Sequence, residues 1–238
     1  MRSKHQAKAT RIIADLGGTW LRVRAEGAFR RNIRCPAPPP ERLAAKLRGI
    51  LRAWRINPDE LIVGSRGVWT QRERRAMGRR LPGLAKRVRV TSDVELAYEQ
   101  VLGFGPGILI LAGTGSIALA KDGRGRTRRA GGLGPAKGDE GSAYWIGRQY
   151  RARVLGKPSL PPTRANVRRT AALAPTVLAR ARRDPLCAKI IGEAQAHLAT
   201  LAAKLARGRC LRVGFWGGLM ENRNFRQGVL RRIRAGIS

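Results

Sequence analysis

The most restrictive stretch of the sequence runs from Ile108 to Ile146. It opens with Ile-Leu-Ile-Leu, passes through Ala-Gly-Thr-Gly-Ser, and resumes with Ile117-Ala118-Leu119-Ala120. Two apolar runs this short, separated by Gly113, Thr114, Gly115 and Ser116, predict a β-hairpin whose tight turn is built from small and hydroxyl-bearing residues. Such a turn suits a phosphate group. Backbone N–H groups can line its concavity, glycine leaves the anion room to approach, and the Thr and Ser hydroxyls add donors. A plain glycine-rich hairpin would use the same residues, so this turn alone leaves both readings open. A basic turn then leads to Gly131-Gly132-Leu133-Gly134 and on to Gly138-Asp139-Glu140-Gly141-Ser142.

A second turn of the same size lies near the N-terminus. Arg11 to Ala14 reads as a short buried strand. It runs into Asp15-Leu16-Gly17-Gly18-Thr19-Trp20 and then into a strand, Leu21 to Ala25, with alternating arginines. Gly17, Gly18 and Thr19 offer donors to phosphoryl oxygens, and the Asp15 carboxylate at the strand end can hold a metal-bound water. Asp and Gly also dominate ordinary turns for steric reasons, and that reading stays open as well.

Between the turns the pattern alternates. After a loop with Pro36, Pro38, Pro39 and Pro40, apolar residues at Leu43, Leu47, Ile50, Leu51 and Trp54 predict an amphipathic helix over 41–56. Leu61-Ile62-Val63 predicts a buried strand ending in Gly64-Ser65-Arg66-Gly67, a loop that can face a ligand. A basic helix over 71–81, a strand over 87–90 and a helix over 94–102 follow, and this alternation implies an α/β sheet with covering helices. Asp93 stands where that strand meets that helix. A carboxylate at the carboxyl end of a strand in an α/β sheet is placed to accept a proton from a substrate hydroxyl, while Ser92 or Asp93 would equally serve as a helix N-cap.

Composition enters through charge. With 49 basic and only 15 acidic residues the net charge is +34, which attracts polyanions at long range. Only nine of the basic residues are lysines, and the arginines are scattered in pairs. No nucleic-acid module is recognisable, and the low aromatic content removes the usual stacking platforms. The scarcity of acids singles out Asp15, Asp93, Asp139 and Glu140, all at strand ends or in glycine-rich turns. Cys35, Cys187 and Cys210 are far apart and odd in number, which predicts reduced thiols in a cytoplasmic protein. His5 and His197 are isolated. No apolar run approaches the ~20 residues that cross a bilayer, and Met1 to Thr10 lacks a signal-peptide apolar core.

The order of these pieces, a Gly-Gly-Thr turn, a Thr-Ser-Asp strand end and a Gly-Thr-Gly-Ser turn followed by Gly-Gly-Leu-Gly and Gly-Asp-Glu-Gly-Ser, resembles the sugar-kinase, heat-shock ATPase and actin superfamily. Within it the chain resembles the N-acetylglucosamine kinase branch of the BadF/BadG/BcrA/BcrD-type ATPases. The resemblance is strongest over Gly107 to Arg148, and two later pieces fit: Asp184-Pro185-Leu186 opening a helix to about Ala206, and a strand from Leu211 to Trp216 ending in Gly217-Gly218-Leu219.

The resemblance implies an α/β protein of two ribonuclease-H-like (actin-like ATPase) domains around a nucleotide cleft, residues 1–103 and 104–238, the second shortened. It implies ATP and Mg²⁺ as cofactors and phosphoryl transfer to an amino sugar or related hexose. Gly17, Gly18 and Thr19 would form the first phosphate turn; Gly113, Thr114, Gly115 and Ser116 the second; Gly217 and Gly218 would lie against the adenosine. Asp15 would place Mg²⁺ through water, Asp93 would be the general base and contact the sugar, and Gly131, Gly132, Leu133 and Asp139 would line the sugar pocket. Three positions depart from the family pattern: Leu133 replaces a usual tryptophan, Ile117 a polar residue, and Lys137 an aliphatic one. A second function class stays open, a non-catalytic ATP-binding member acting through its basic surface on nucleic acid, as does homodimer formation. The radical-dehydratase activators of the same family need cysteines that bridge an iron–sulfur cluster, and Cys187 and Cys210 sit in no such motif.

Overall fold

The computed structural model describes residues 10–27, 30–206 and 212–237. His5, Cys210 and Leu211, where the last strand was expected to start, lie outside the described residues. The chain divides into two compact units, Met1–Leu96 and Ala97–Ser238.

The first unit is a five-stranded sheet with helices. Strands β1 (Arg11–Leu16), β2 (Trp20–Glu26) and β3 (Arg31–Pro36) form an antiparallel meander, and α1 (Leu43–Trp54) crosses over to β4 (Glu60–Ser65). Then α2 (Gln71–Gly78) leads to β5 (Arg87–Ser92), and α3 (Asp93–Leu102) begins. The strand order is β3-β2-β1-β4-β5, with β1, β4 and β5 parallel. The pattern of the chain explains this order. β1 carries the buried run Ile12, Ile13 and Ala14 of a central strand, whereas β2 alternates buried Leu21, Val23 and Ala25 with exposed Arg22 and Arg24. On α1, Leu43, Leu47, Ile50 and Leu51 fall on one face and pack with Ile12, Ala14, Leu61 and Val63. Thr70 and Glu73 close a capping box at the start of α2.

The second unit repeats the connectivity. β6 (Gly107–Ala112), β7 (Ser116–Lys121) and β8 (Thr127–Gly131) form an antiparallel meander. Helices α4 (Ala143–Arg153), α5 (Arg164–Ala171), α6 (Ala174–Arg180) and α7 (Pro185–Ala206) then lead to β9 (Val213–Trp216), parallel to β6. The order is β8-β7-β6-β9, so in both sheets the meander's first strand takes the crossover strand as its parallel neighbour. Helices α8 (Gly218–Glu221) and α9 (Arg223–Ile237) follow. The core of this unit joins Ile108 and Ile110 to Ile190, Ala194 and Leu198 of α7 and to Phe225, Val229 and Ile233 of α9.

Two expectations are corrected. The loop expected to hold Pro36, Pro38, Pro39 and Pro40 loses Pro36 to β3, an edge strand that the sequence reading did not assign, because its residues are nearly all solvent-facing and lack apolar alternation. The basic turn after Ala120 is likewise a hairpin into β8, an edge strand of the second sheet, with Asp122 accepting the turn's amides. Edge strands pair on one side only and tolerate polar side chains, so hydrophobic periodicity misses them.

Candidate active site

In the first unit three parallel strands end in register. Leu16 of β1 lies beside Ser65 of β4, and Ser65 beside Ser92 of β5. The next residue of each chain segment, Gly17, Arg66 and Asp93, therefore emerges from the same edge of the sheet. Carboxyl ends of parallel strands are where α/β sheets bind ligands. The turn expected over 15–20 proves narrower: Asp15 and Leu16 belong to β1, Trp20 to β2, and only Gly17, Gly18 and Thr19 form the bend. The Gly17 amide donates to the Trp20 carbonyl (3.0 Å), and the Arg66 amide donates to the Leu16 carbonyl (3.1 Å), tying the bend to the end of β4.

Asp15 is paired across the hairpin with Arg22, whose Nη1 donates to its Oδ2 at 3.2 Å. Burial nevertheless holds its carboxyl above the usual range, against the attraction of Arg22. Asp93 is half-buried, and its carboxyl is pushed up to about 6, chiefly by burial and then by the charge of Asp15, against the Val94 amide and Arg66. The two acids thus sense each other at one edge of the sheet.

The choice between Ser92 and Asp93 as cap of α3 is settled by the hydrogen bonds. Ser92 Oγ accepts from the Glu95 amide (3.0 Å), and Glu95 Oε2 accepts from the Ser92 amide (3.0 Å), a reciprocal box. Glu95 also accepts from the Thr91 hydroxyl at 2.8 Å and from Arg74 at 2.8 and 2.9 Å. This frame leaves Asp93 free of capping duty, its Oδ1 accepting the adjacent Val94 amide at 3.0 Å. Sequence reasoning assigned no role to Glu95 or Arg74; the Ser-x-x-Glu spacing over 92–95 was the available signal.

In the second unit the Gly113–Ser116 turn is pinned from both sides. The Gly113 amide donates to the Gly115 carbonyl (2.9 Å), and the first amides of α4 donate to the turn, Ala143 to the Gly113 carbonyl (2.8 Å) and Tyr144 to the Thr114 carbonyl (3.3 Å). The buried Ser116 hydroxyl donates to the Glu140 carbonyl at 2.7 Å. Asp139 is buried, adopts a left-handed backbone (φ 61°), and lays its carboxylate over Gly115, where a Cβ would stand 2.8 Å from Oδ2. Gly217 has φ 100°, and a Cβ there would stand 2.5 Å from the Ala112 carbonyl oxygen, so the ends of β6 and β9 touch through backbone. Gly113, Thr114, Gly115, Asp139, Gly217 and Gly218 are therefore brought together. The Gly132 amide donates to the Ser116 carbonyl (2.9 Å), which sets Gly131 and Gly132 beside the same turn, whereas the Leu133 side chain is exposed. Ile117 is buried against Gly132.

The sequence profile of the BadF/BadG/BcrA/BcrD ATPase family matches residues 90–236. The chain belongs to that family. An N-acetylmuramic acid/N-acetylglucosamine kinase of Clostridium acetobutylicum is 40% identical over 65 residues, 27% of this chain and 21% of that protein, so the match spans about a fifth of that relative. Among solved structures, a candidate N-acetylglucosamine kinase from Chromobacterium violaceum superposes with a TM-score of 0.73 at 23% identity, covering 97% of this chain and 99% of that one. One from Porphyromonas gingivalis gives 0.78 at 19% identity, covering 94% and 90%. The ROK hexokinase of Thermus thermophilus gives 0.63 at 19% identity, covering 96% and 89%. The family member described here thus has the α/β sugar-kinase fold with mixed sheets. No described helix is long and apolar enough to cross a membrane.

Proposed function

We propose that this family member is an ATP-dependent kinase of an N-acetylglucosamine-like amino sugar or a related hexose. The observation that carries the reading is Asp93, a half-buried carboxylate raised to about 6 at the carboxyl end of β5, uncommitted to capping and at the same sheet edge as the Gly17–Thr19 bend, with β4 between them. A base with that affinity for protons is largely ionised near neutrality yet still able to take a proton from a hydroxyl. The partial identity to the Clostridium kinase supports the same substrate class.

In this reading residues 1–103 and 104–238 form two ribonuclease-H-like domains. The first supplies Asp93 as base and Gly17, Gly18 and Thr19 as donors to the phosphate chain. The second supplies Gly113, Thr114, Gly115 and Ser116 for phosphate, Gly217 and Gly218 for adenosine, and Gly131, Gly132, Leu133 and Asp139 for the sugar. The sugar hydroxyl oxygen attacks the γ-phosphorus, its proton passes to Asp93, and the bond to the β-phosphate oxygen breaks to release ADP. Among the described residues no group of three or more His, Cys, Asp or Glu side chains could hold a metal ion. Asp15, desolvated and next to a second acid, fits a cation that takes its remaining ligands from water and phosphate, as Mg²⁺ does. Mg²⁺ bound there would neutralise charge on the phosphates.

The test is ADP release from Mg-ATP against a panel of hexoses, amino sugars and N-acetylated sugars, with Asp93→Asn beside the wild type. Sugar-dependent turnover that disappears in the variant is expected. Turnover that survives the substitution would remove Asp93 as the base, and absence of turnover with every sugar would sink the kinase reading.

A further inference from the structure

The residue between the two catalytic landmarks of the first unit has no assigned role. Arg66 leaves β4 in the row that holds Gly17 and Asp93, and its backbone is anchored by its amide to the Leu16 carbonyl (3.1 Å). From that anchor the side chain runs across the bend. A Cβ at Gly18 would stand 2.9 Å from Arg66 Nη1, so the guanidinium lies directly against the peptide of the bend, in space that only glycine leaves open.

The charge around it is arranged for a ligand rather than for an internal pair. Asp15 is bonded to Arg22. Asp93 feels Arg66 only as a charge at a distance, and no described carboxylate lies within ion-pair distance of the Arg66 guanidinium. The side chain is solvent-exposed, so its five N–H donors are reachable from outside. Arginine presents a planar fork that matches two oxygens of one phosphate, and against a glycine bend it adds to the backbone donors a fixed positive charge.

We propose that Arg66 is a phosphate-binding residue of this site: its guanidinium, seated on Gly18, grips the terminal phosphate of a nucleoside triphosphate beside the Gly17–Thr19 bend. This deepens the kinase reading above and rests on it for the identity of the triphosphate. Held there, the fork donates to the non-bridging oxygens of the group in transfer, with no covalent bond to the protein, and offsets the negative charge that Asp15 and Asp93 place at the same edge. Stabilisation of this kind acts on the transition state as well as on binding.

The experiment measures calorimetric binding of Mg-ATP, AMP and inorganic tripolyphosphate at about 0.15 M salt, where exposed charges are screened within about 8 Å. The proteins are the wild type, Arg66→Ala, Arg66→Lys and, as a control for loss of one positive charge, Arg48→Ala, an exposed arginine on α1. Circular dichroism confirms that each variant is folded. Arg66→Ala is expected to weaken tripolyphosphate and Mg-ATP at least tenfold and to leave AMP unchanged, Arg66→Lys to fall between, and Arg48→Ala to match the wild type. Where a sugar substrate has been found, kcat of Arg66→Ala falls by at least a further tenfold. Equal triphosphate affinity in Arg66→Ala and Arg48→Ala overturns the proposal and leaves the kinase reading standing. A wild type that binds Mg-ATP but phosphorylates no sugar defeats the kinase reading while the binding series still decides the role of Arg66. A wild type that binds no triphosphate defeats both.

Discussion

Asp93→Asn should make the protein more stable at neutral pH while abolishing its chemistry. The folded-state pKa of Asp93 is raised from 3.8 to about 6. The folded protein therefore binds the proton more tightly than the unfolded chain, and stability falls as pH rises from about 4 to about 6. About two units at about 1.4 kcal/mol each give a cost of about 3 kcal/mol for keeping the ionised carboxylate half-buried near Asp15 above pH 6. Asparagine preserves the acceptor for the Val94 amide, 3.0 Å away, and removes the charge. Other acids, such as Asp59 and Asp184, are held below their ordinary range and slope the opposite way, so the quantity to follow is the difference between variant and wild type. Urea unfolding of both proteins across about pH 4 to 7.5 should show that difference near zero at the acid end, growing by up to about 3 kcal/mol and levelling above about pH 6. The chain has six aspartates, so carboxyl-carbon NMR of aspartate-labelled protein can follow the same titration directly. A difference that does not change with pH, or a variant less stable at pH 7.5, would refute the electrostatic account of this site.

Further consequences concern the frame around the site. Glu95→Gln should cost about 2–3 kcal/mol, because it strips the charge from a carboxylate shared by Ser92, Thr91 and Arg74; the carboxyl is held below its usual value, so this contribution is present above about pH 4.5 and fades as pH falls, which urea unfolding at two pH values checks. Gly217→Ala should destabilise the second unit by about 3 kcal/mol or more, since alanine disfavours φ 100° and its methyl would meet the Ala112 carbonyl; a fall in the thermal midpoint is the readout. Cys187 is buried with its thiol pushed up to about 11 by burial and by Asp184, so it should resist alkylation at about pH 8 in the folded protein and react on unfolding, as peptide mass mapping would show. Rapid alkylation in the native state would contradict that burial.

Much of the fold was legible wherever one local pattern decided it. The hairpin around Gly113–Ser116 and the helix α1 announce themselves by apolar runs or by a one-sided stripe, because each buries one continuous face, whereas the long α7 was expected from the family resemblance. β3 and β8 did not, because an edge strand is held by backbone bonds to a single neighbour and needs no apolar signature. α9 went unassigned although Phe225, Val229 and Ile233 recur at helical spacing; its arginine-rich remainder masks a stripe that becomes meaningful only against α7. At the site, glycine, hydroxyl and carboxylate identities were enough to mark Asp15, the two turns and Asp93, since turn chemistry is local.

What only the tertiary structure decided is which of those pieces share an edge and in what electrostatic state. The parallel register of β1, β4 and β5 sets Gly17, Arg66 and Asp93 side by side although they are far apart in the chain. Burial there, together with the proximity of Asp15, raises Asp93 to about 6, and the Ser92–Glu95 box releases it from capping. Residue type and spacing are properties of the chain, but a pKa depends on desolvation and on charges a few ångströms away, and those exist only once the strands have paired.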